Sequence, residues 1–224
     1  TSKSSVTYID HMGTDKSVVN SARVSFLKND EVSLDKEFMD LNRTDLTEQD
    51  KRLIQYLATH NHWSPFAHNS IQLKITAPIF IARQLVKHQV GGVWNEVSRR
   101  YVSSDVVYFA NEPWRGKPIN AKQGSSGVLE HQTELNKLLL EHYAACEALY
   151  RKYLEAGVCP EQARMVLPLA SMTDWYWTGS LMFWARVCKQ RLDSHAQSEA
   201  RDVAVGIADE CSALFPVSWA ALMK

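Results

Sequence analysis

Residues 81–101, IARQLVKHQVGGVWNEVSRRY, are the stretch around which the rest of the chain has to be arranged. Ile81, Ala82, Leu85 and Val86 supply an apolar side, while Arg83, Gln84, Lys87 and His88 recur at i, i+1, i+4, i+5, so a helix gathers them on one face. Pro78 suits a first helical turn, where its missing N–H has no partner to lose. Gly91-Gly92 then stops the helix, because glycine tolerates the left-handed geometry of helix ends. If Asn95–Tyr101 is extended, Glu96, Ser98 and Arg100 point the same way. The pattern predicts a cationic helix face leading into a loop with a carboxylate, a hydroxyl and a guanidinium. A solvated amphipathic helix with a charged turn would show the same charges. Trp94, Tyr101 and two glycines that let backbone approach a ligand favour a site for an anion bearing a polar ring.

Outward from this stretch, Ser5–Asp10 reads as a strand and residues 15–24 as a helix, followed by a polar, irregular region over 27–46. Thr47-Glu48-Gln49-Asp50 opens a helix with Leu53, Ile54, Tyr56 and Leu57 at helical spacing, ending near His60. Trp63–His68 is a turn built on Ser64-Pro65. Ser70–Thr76 alternates with period two, as a strand does. Val106–Phe109 is a short strand candidate, and the Pro- and Gly-containing residues 111–127 read as a loop or lid. Residues 129–156 carry the longest helical pattern, capped by Gly157. Pro160 starts a short helix that Pro168 limits. Trp175-Tyr176-Trp177 is aromatic and half-buried in character, and Leu181–Lys189 is helical. The Ser194/Gln197 spacing predicts a capping box and a last helix from His195 to about Leu214. The order of elements predicts one α+β domain over 1–224, rich in helix, with a small central sheet.

Composition sets limits. A hydrophobic content of 45% supports a real core. Lys plus Arg equals Asp plus Glu at 25 each, so any anion site is local and a nucleic-acid-binding role is disfavoured. No apolar run approaches the roughly 20 residues of a membrane span, and the polar start TSKSS is unlike a signal peptide. Cys146, Cys159, Cys188 and Cys211 form no C-x-x-C pair and read as reduced, buried thiols of a cytoplasmic protein. His60, His62 and His68 lack a cysteine or a suitably placed acid, so no metal is expected there.

Three further segments carry chemistry. Arg164, in Ala163-Arg164-Met165-Val166-Leu167-Pro168, is costly to bury unless paired, and its pattern fits either a structural ion pair or an anion contact. Arg191-Leu192-Asp193-Ser194-His195-Ala196-Gln197 sits at a helix junction, where Asp193 or Ser194 can cap and Arg191 is left to meet an anion. The third segment is His62-Trp63-Ser64-Pro65-Phe66-Ala67-His68. Together with Lys87-His88-Gln89 and Asn95-Glu96-Val97-Ser98-Arg99-Arg100-Tyr101, these segments resemble the flavin-dependent thymidylate synthases. That family shows Arg-His-Arg, a spacer, Asn-Glu-x-Ser-x-Arg-Tyr, and later Arg-x-Asp-Ser-His-Ala-Gln, the last intact here. A His-x-Thr/Ser-Pro-x-x-His segment and an Ala-Arg-x-x-Leu-Pro segment also match.

The resemblance implies conversion of dUMP to dTMP, with methylenetetrahydrofolate as carbon donor, FAD as cofactor and NADPH as reductant, in a homotetramer with shared sites. It implies that Gln84, Lys87, Glu96, Ser98, Arg100, Arg164 and Arg191 bind the nucleotide. Ser25, Ser64, Lys87, His88, Gln89, Glu96 and His195 would meet FAD, and His62 the folate. Arg191 would be catalytic, stabilising negative charge at N3 of the uracil, and Arg83 would hold its helix in place. There are departures: Lys87 and Gln89 stand for two arginines, Ala67 for a glutamate, and Ser180, Met182 and Arg186 lie where many relatives use Asn and Arg. The His88–Glu96 spacer is one residue longer than the commoner pattern. Such changes resemble a divergent branch of the kind some viruses carry. Two alternatives stay open on the residues alone: a hydroxymethylase acting on dUMP, and a non-catalytic nucleotide-binding relative.

Overall fold

The computed structural model describes residues 1–26, 45–101, 105–110, 113–119 and 124–224. Most of the polar 27–46 stretch and parts of the 111–127 loop lie outside the described residues.

Four antiparallel strands form one sheet in the order β1-β2-β4-β3: β1 Ser5–Met12, β2 Ser70–Pro78, β3 Gly92–Glu96 and β4 Met172–Gly179. The period-two pattern of β2 does what it predicts. Ile71, Leu73, Ile75 and Ala77 are fully buried, and Gln72, Lys74 and Thr76 face the other way. Leu73 sits opposite Trp177 and Ile75 opposite Trp175, so the aromatic triplet is the middle of a central strand with Tyr176 turned outward. Trp94 of β3 stacks on Trp175, with ring centroids 4.2 Å apart and planes at 19°. Trp177 meets Trp184 edge-on at 5.1 Å. Such pairs add about 1 kcal/mol each beyond their burial.

Helices cover the apolar face: α1 Asp15–Arg23, α2 Glu48–Thr59, α3 Ile79–Leu85, α6 Leu181–Arg191, α7 Ser198–Leu214 and α8 Pro216–Leu222. The remaining helices, α4 Gln132–Glu155 and α5 Pro160–Ala163, build a smaller core with Val106, Tyr108, Tyr143 and Tyr150. Tyr108 stacks on Tyr143 there at 4.4 Å, and burial pushes the Tyr108 hydroxyl up to about 12.

Two buried carboxylates fasten distant elements. Asp15 accepts from the backbone N–H groups of Val217 and Ser218 at 3.0 and 2.8 Å, which caps α8 from the start of α1. Asp50 receives Lys16 and Arg23, both at 2.7 Å, together with the N–H of Thr47. Burial opposes its ionisation, but Lys16, Thr47 and Arg23 outweigh that and hold the carboxyl at about 2.

The structure corrects several expectations. The helix expected over 81–88 is α3, which begins earlier, as soon as β2 ends at Pro78, and gives way to a turn after Leu85, so that Lys87 and His88 lie beyond it. Residues 95–101 are not one extended run: β3 ends at Glu96 and Ser98–Tyr101 turn, closed by the Tyr101 N–H on the Ser98 carbonyl at 3.1 Å. The Ser194/Gln197 capping box does not form, since α7 starts at Ser198 with no side-chain cap. Helix α8 was not foreseen. Of the four thiols only Cys188 and Cys211 are buried; Cys146 is half-buried and Cys159 exposed.

Candidate active site

The centre of the site is a contact between the end of α6 and the segment made of α3 and the turn that follows it. Arg191, at the end of α6, donates from Nε to Nε2 of His88 at 2.9 Å and from a terminal nitrogen to the Gln84 carbonyl at 3.3 Å. A guanidinium only donates, so His88 accepts at Nε2 and keeps its proton on Nδ1. Burial, then the nearby Arg191 charge, lowers the His88 pKa, which keeps the ring neutral. Arg191 is half-buried and lines two cavities.

One cavity, about 480 Å³, is lined by Gln84, Arg115, Arg191, His195 and Gln197. The Gln84 amide donates to Gln197, tying α3 to the start of α7. Arg115, from the loop before α4, reaches Glu199 at 2.7 Å. Burial opposes ionisation of Glu199, but Arg115 leads the contacts that hold its carboxyl below the ordinary value. Asp193 accepts from both the N–H and Nδ1 of His195, at 2.8 and 2.9 Å, fixing that exposed ring at the rim. The other cavity, about 330 Å³, is lined by Lys87, His88, Gln89, Arg186 and Arg191, with Phe183 and Val187 as its apolar wall. Its cations, amide donors and apolar wall, with no carboxylate, fit a flat-ringed polyanion such as a flavin nucleotide. Gly92 is required beside it for packing, since a Cβ there would lie 2.5 Å from Phe183 Cζ.

The remaining candidates lie elsewhere on the chain. Glu96 and Arg164 line a separate cleft of about 420 Å³ at the far end of β3 and β4. Glu96 accepts from Thr173 Oγ1 at 2.8 Å, while Arg164 is exposed and donates to the Glu161 carbonyl at 3.2 Å. Next to that cleft, Arg100 donates to Ser98 Oγ at 2.9 Å and covers the Tyr101 ring at 5.0 Å. His62 lines a groove of about 290 Å³ between α2 and α6. Ser64 opens the short 3-10 turn beside it and Ser25 follows α1; both are exposed and line none of these four cavities. Arg83, expected to hold its helix, is exposed at the end of α3. Within one chain, then, Gln84, Lys87, His88, Gln89, Arg191 and His195 come together, and Glu96, Ser98, Arg100 and Arg164 form a second group.

Sequence reasoning missed Thr173, Arg115 and Glu199. Each gains its meaning from a partner distant in the chain, and none sits in a recognisable pattern. Among the described residues the arrangement holds no activated nucleophile. Ser98 is bound to a guanidinium, and none of the four cysteines lines these cavities. Burial raises the Cys188 thiol to about 12 and the Cys211 thiol well above its ordinary value. What the residues supply is fixed positive charge and orientation.

The chain is similar to known proteins along nearly its whole length. A family model described as thymidylate synthase complementing protein matches residues 7–217. The flavin-dependent thymidylate synthase of Thermus thermophilus is 36% identical over 222 residues, covering 98% of this chain and 75% of the relative. That of Thermosipho africanus is 33% identical, covering 96% and 89%. A crystal structure of the UMP/dUMP methylase PolB from Streptomyces cacaoi, bound with 5-Br dUMP, superposes with a TM-score of 0.82 at 26% identity, over 98% of this chain and 94% of that one. The agreement runs through nearly the whole chain in both sequence and backbone, and this protein belongs to the flavin-dependent thymidylate synthase family.

Proposed function

We propose that residues 1–224 act as one unit that converts dUMP to dTMP, with methylenetetrahydrofolate as carbon donor, FAD as the flavin and NADPH as its reductant. The observation that carries this reading is Arg191, held half-buried by His88 and the Gln84 carbonyl with N–H groups to spare. Its charge persists at any working pH, so it stabilises negative charge developing at N3 of a uracil ring. FAD supplies the redox step when bound. Lys87, His88 and Gln89 hold it, with Ser25, Ser64, Glu96 and His195 contributing at its edges, and neutral His88 offers its Nδ1–H as a donor. Gln84, Lys87, Glu96, Ser98, Arg100 and Arg164 hold the nucleotide, and His62 faces the folate.

The separation of the two residue groups within one chain supports sites completed between copies, in a homotetramer. In support, α4 exposes Leu138, Leu140, Leu149 and Tyr153, apolar side chains of the kind that subunit contacts cover. The test is an anaerobic turnover assay with FAD, NADPH, methylenetetrahydrofolate and dUMP, with the nucleotide products resolved by mass. Formation of dTMP, abolished in Arg191→Ala, is the expected result. A product heavier by one oxygen reassigns the protein as a hydroxymethylase. Flavin binding without any product leaves a nucleotide-binding relative.

A further inference from the structure

Gln84 and Gln197 meet through their side-chain amides in the wall of the cavity of about 480 Å³. An amide is a donor at one end and an acceptor at the other, so what lies beyond the pair decides which end each turns where. Beyond Gln197 lies Glu199, buried in the first turn of α7. Arg115 holds its Oε1 at 2.7 Å and is itself steadied by donating from Nε to Ser125 Oγ at 2.9 Å. The Gln197 side chain is, with Arg115, among the contacts that keep the Glu199 carboxyl below its ordinary value. Glu199 Oε2 is buried and otherwise unpartnered. A carboxylate only accepts, so Gln197 turns its NH2 toward Glu199 and its oxygen toward Gln84. Gln84 in turn donates from Nε2 to that oxygen. Its own Oε1 has no partner among the described residues, and Gln84 lines the cavity.

We propose that Arg115, Glu199 and Gln197 form a positioning relay that commits Gln84 to meet its ligand as an acceptor, so that the nucleotide is read there through a hydrogen-bond donor. The proposal rests on the dUMP reading above and deepens it. dUMP carries two such donors, the ring N3–H and the 3′-hydroxyl, whereas its ionised phosphate only accepts and does not fit this contact. A relay of fixed polarity also has a defined reverse. With an amide in place of Glu199, Arg115 takes the new oxygen and each NH2 passes to the next oxygen along. Gln84 then turns its own NH2 outward, against the donor of the ligand.

The test is calorimetric titration of the full chain, with FAD in excess, using dUMP, its analogue without the 3′-hydroxyl and its analogue methylated at N3. The wild type is expected to bind the analogue that lacks the donor read by Gln84 about tenfold more weakly than dUMP, and which analogue this is identifies the donor. In Glu199→Gln, dUMP weakens by about the same factor while that analogue binds as it does to the wild type, so the preference disappears. A methyl group that merely crowds the site weakens binding to both proteins alike. Gln197→Met breaks the relay without touching Arg115 or Glu199, and narrows the preference as well should Glu199→Gln not fold. Equal affinity of the three nucleotides for the wild type, or a preference unchanged in the variants, overturns the relay and leaves the proposed reaction standing. Uniform weakening of all three nucleotides also overturns it, since that is what a purely structural ion pair would give. If dUMP itself does not bind the wild type, the nucleotide reading falls and the relay with it.

Discussion

Arg191 Nε and His88 Nε2 lie 2.9 Å apart although 103 residues separate them in the chain, and the contact exists only while His88 is neutral. Orientation of Arg191, which lines both cavities, is thereby tied to the protonation of its neighbour. Burial first, and then the Arg191 charge, depresses the histidine pKa. Both effects favour the working form.

Acid should therefore loosen the site. The folded pKa of His88 lies below its unfolded value of about 6.5, so the stability from the neutral ring is whole above that pH. It is lost as pH falls through about 6.5 toward the depressed folded value. Turnover is expected to decline only at the acid end of that window, where the folded ring itself takes up a proton and releases Arg191. His88→Gln offers an acceptor that does not titrate, and its ratio of kcat at about pH 5.5 to that at about pH 7.5 should exceed the wild-type ratio. In Arg191→Ala, the His88 titration followed by NMR should move part of the way back toward about 6.5, because burial remains.

Thr173→Val tests the other residue group. The Glu96 carboxylate loses its 2.8 Å hydrogen bond from Thr173 Oγ1, while the size and shape of the strand residue are kept. Affinity for dUMP should fall about fivefold, the worth of roughly 1 kcal/mol. Flavin content should not change. Equilibrium dialysis with labelled dUMP measures it.

Stability should respond most to Asp50. Its carboxyl is held at about 2, below the unfolded value of about 3.9. That contribution, roughly 2 kcal/mol, is present above about pH 4 and drains away as pH falls toward 2. Asp50→Asn should cost about 3 kcal/mol at neutral pH by stranding Lys16 and Arg23, and should flatten the acid limb of stability. Urea unfolding at about pH 7 and pH 3.5 gives both quantities.

Sites completed between copies make a distinct prediction. Glu96→Ala and Arg191→Ala chains are each expected to be inactive. Mixing and reassembling them should restore product, since some sites then draw Glu96 from one copy and Arg191 from another. No recovery after verified subunit exchange would mean that both residues of a site come from the same chain.

How much of this was legible depended on how local each signal is. Helices α1, α2 and α6 and strand β2 follow from spacing alone, because a few consecutive residues carry the whole pattern. Trp175-Tyr176-Trp177 did not announce a central strand, since three aromatics in a row hide an alternation that only Ile75 and Leu73 across the sheet make visible. The Ser194/Gln197 spacing promised a capping box, but Asp193 turns to His195 instead and α7 begins at Ser198. Family resemblance assembled one list of site residues. Geometry divided it in two, and Thr173 and Arg115 entered only when their partners were in place.

The strand order has a consequence for how the molecule comes into being. β3 has a single neighbour, β4, which is also the inner neighbour of β2 and the last strand to be synthesised. A chain leaving the ribosome can join β1 to β2 early, but Glu96 has no sheet to sit on until residue 179 is free. Closing so long a loop makes that step slow compared with local pairing. The edge that carries Glu96 therefore cannot take shape before β4 is made, and a translation product stopped anywhere before residue 172 emerges with Glu96 in no sheet at all.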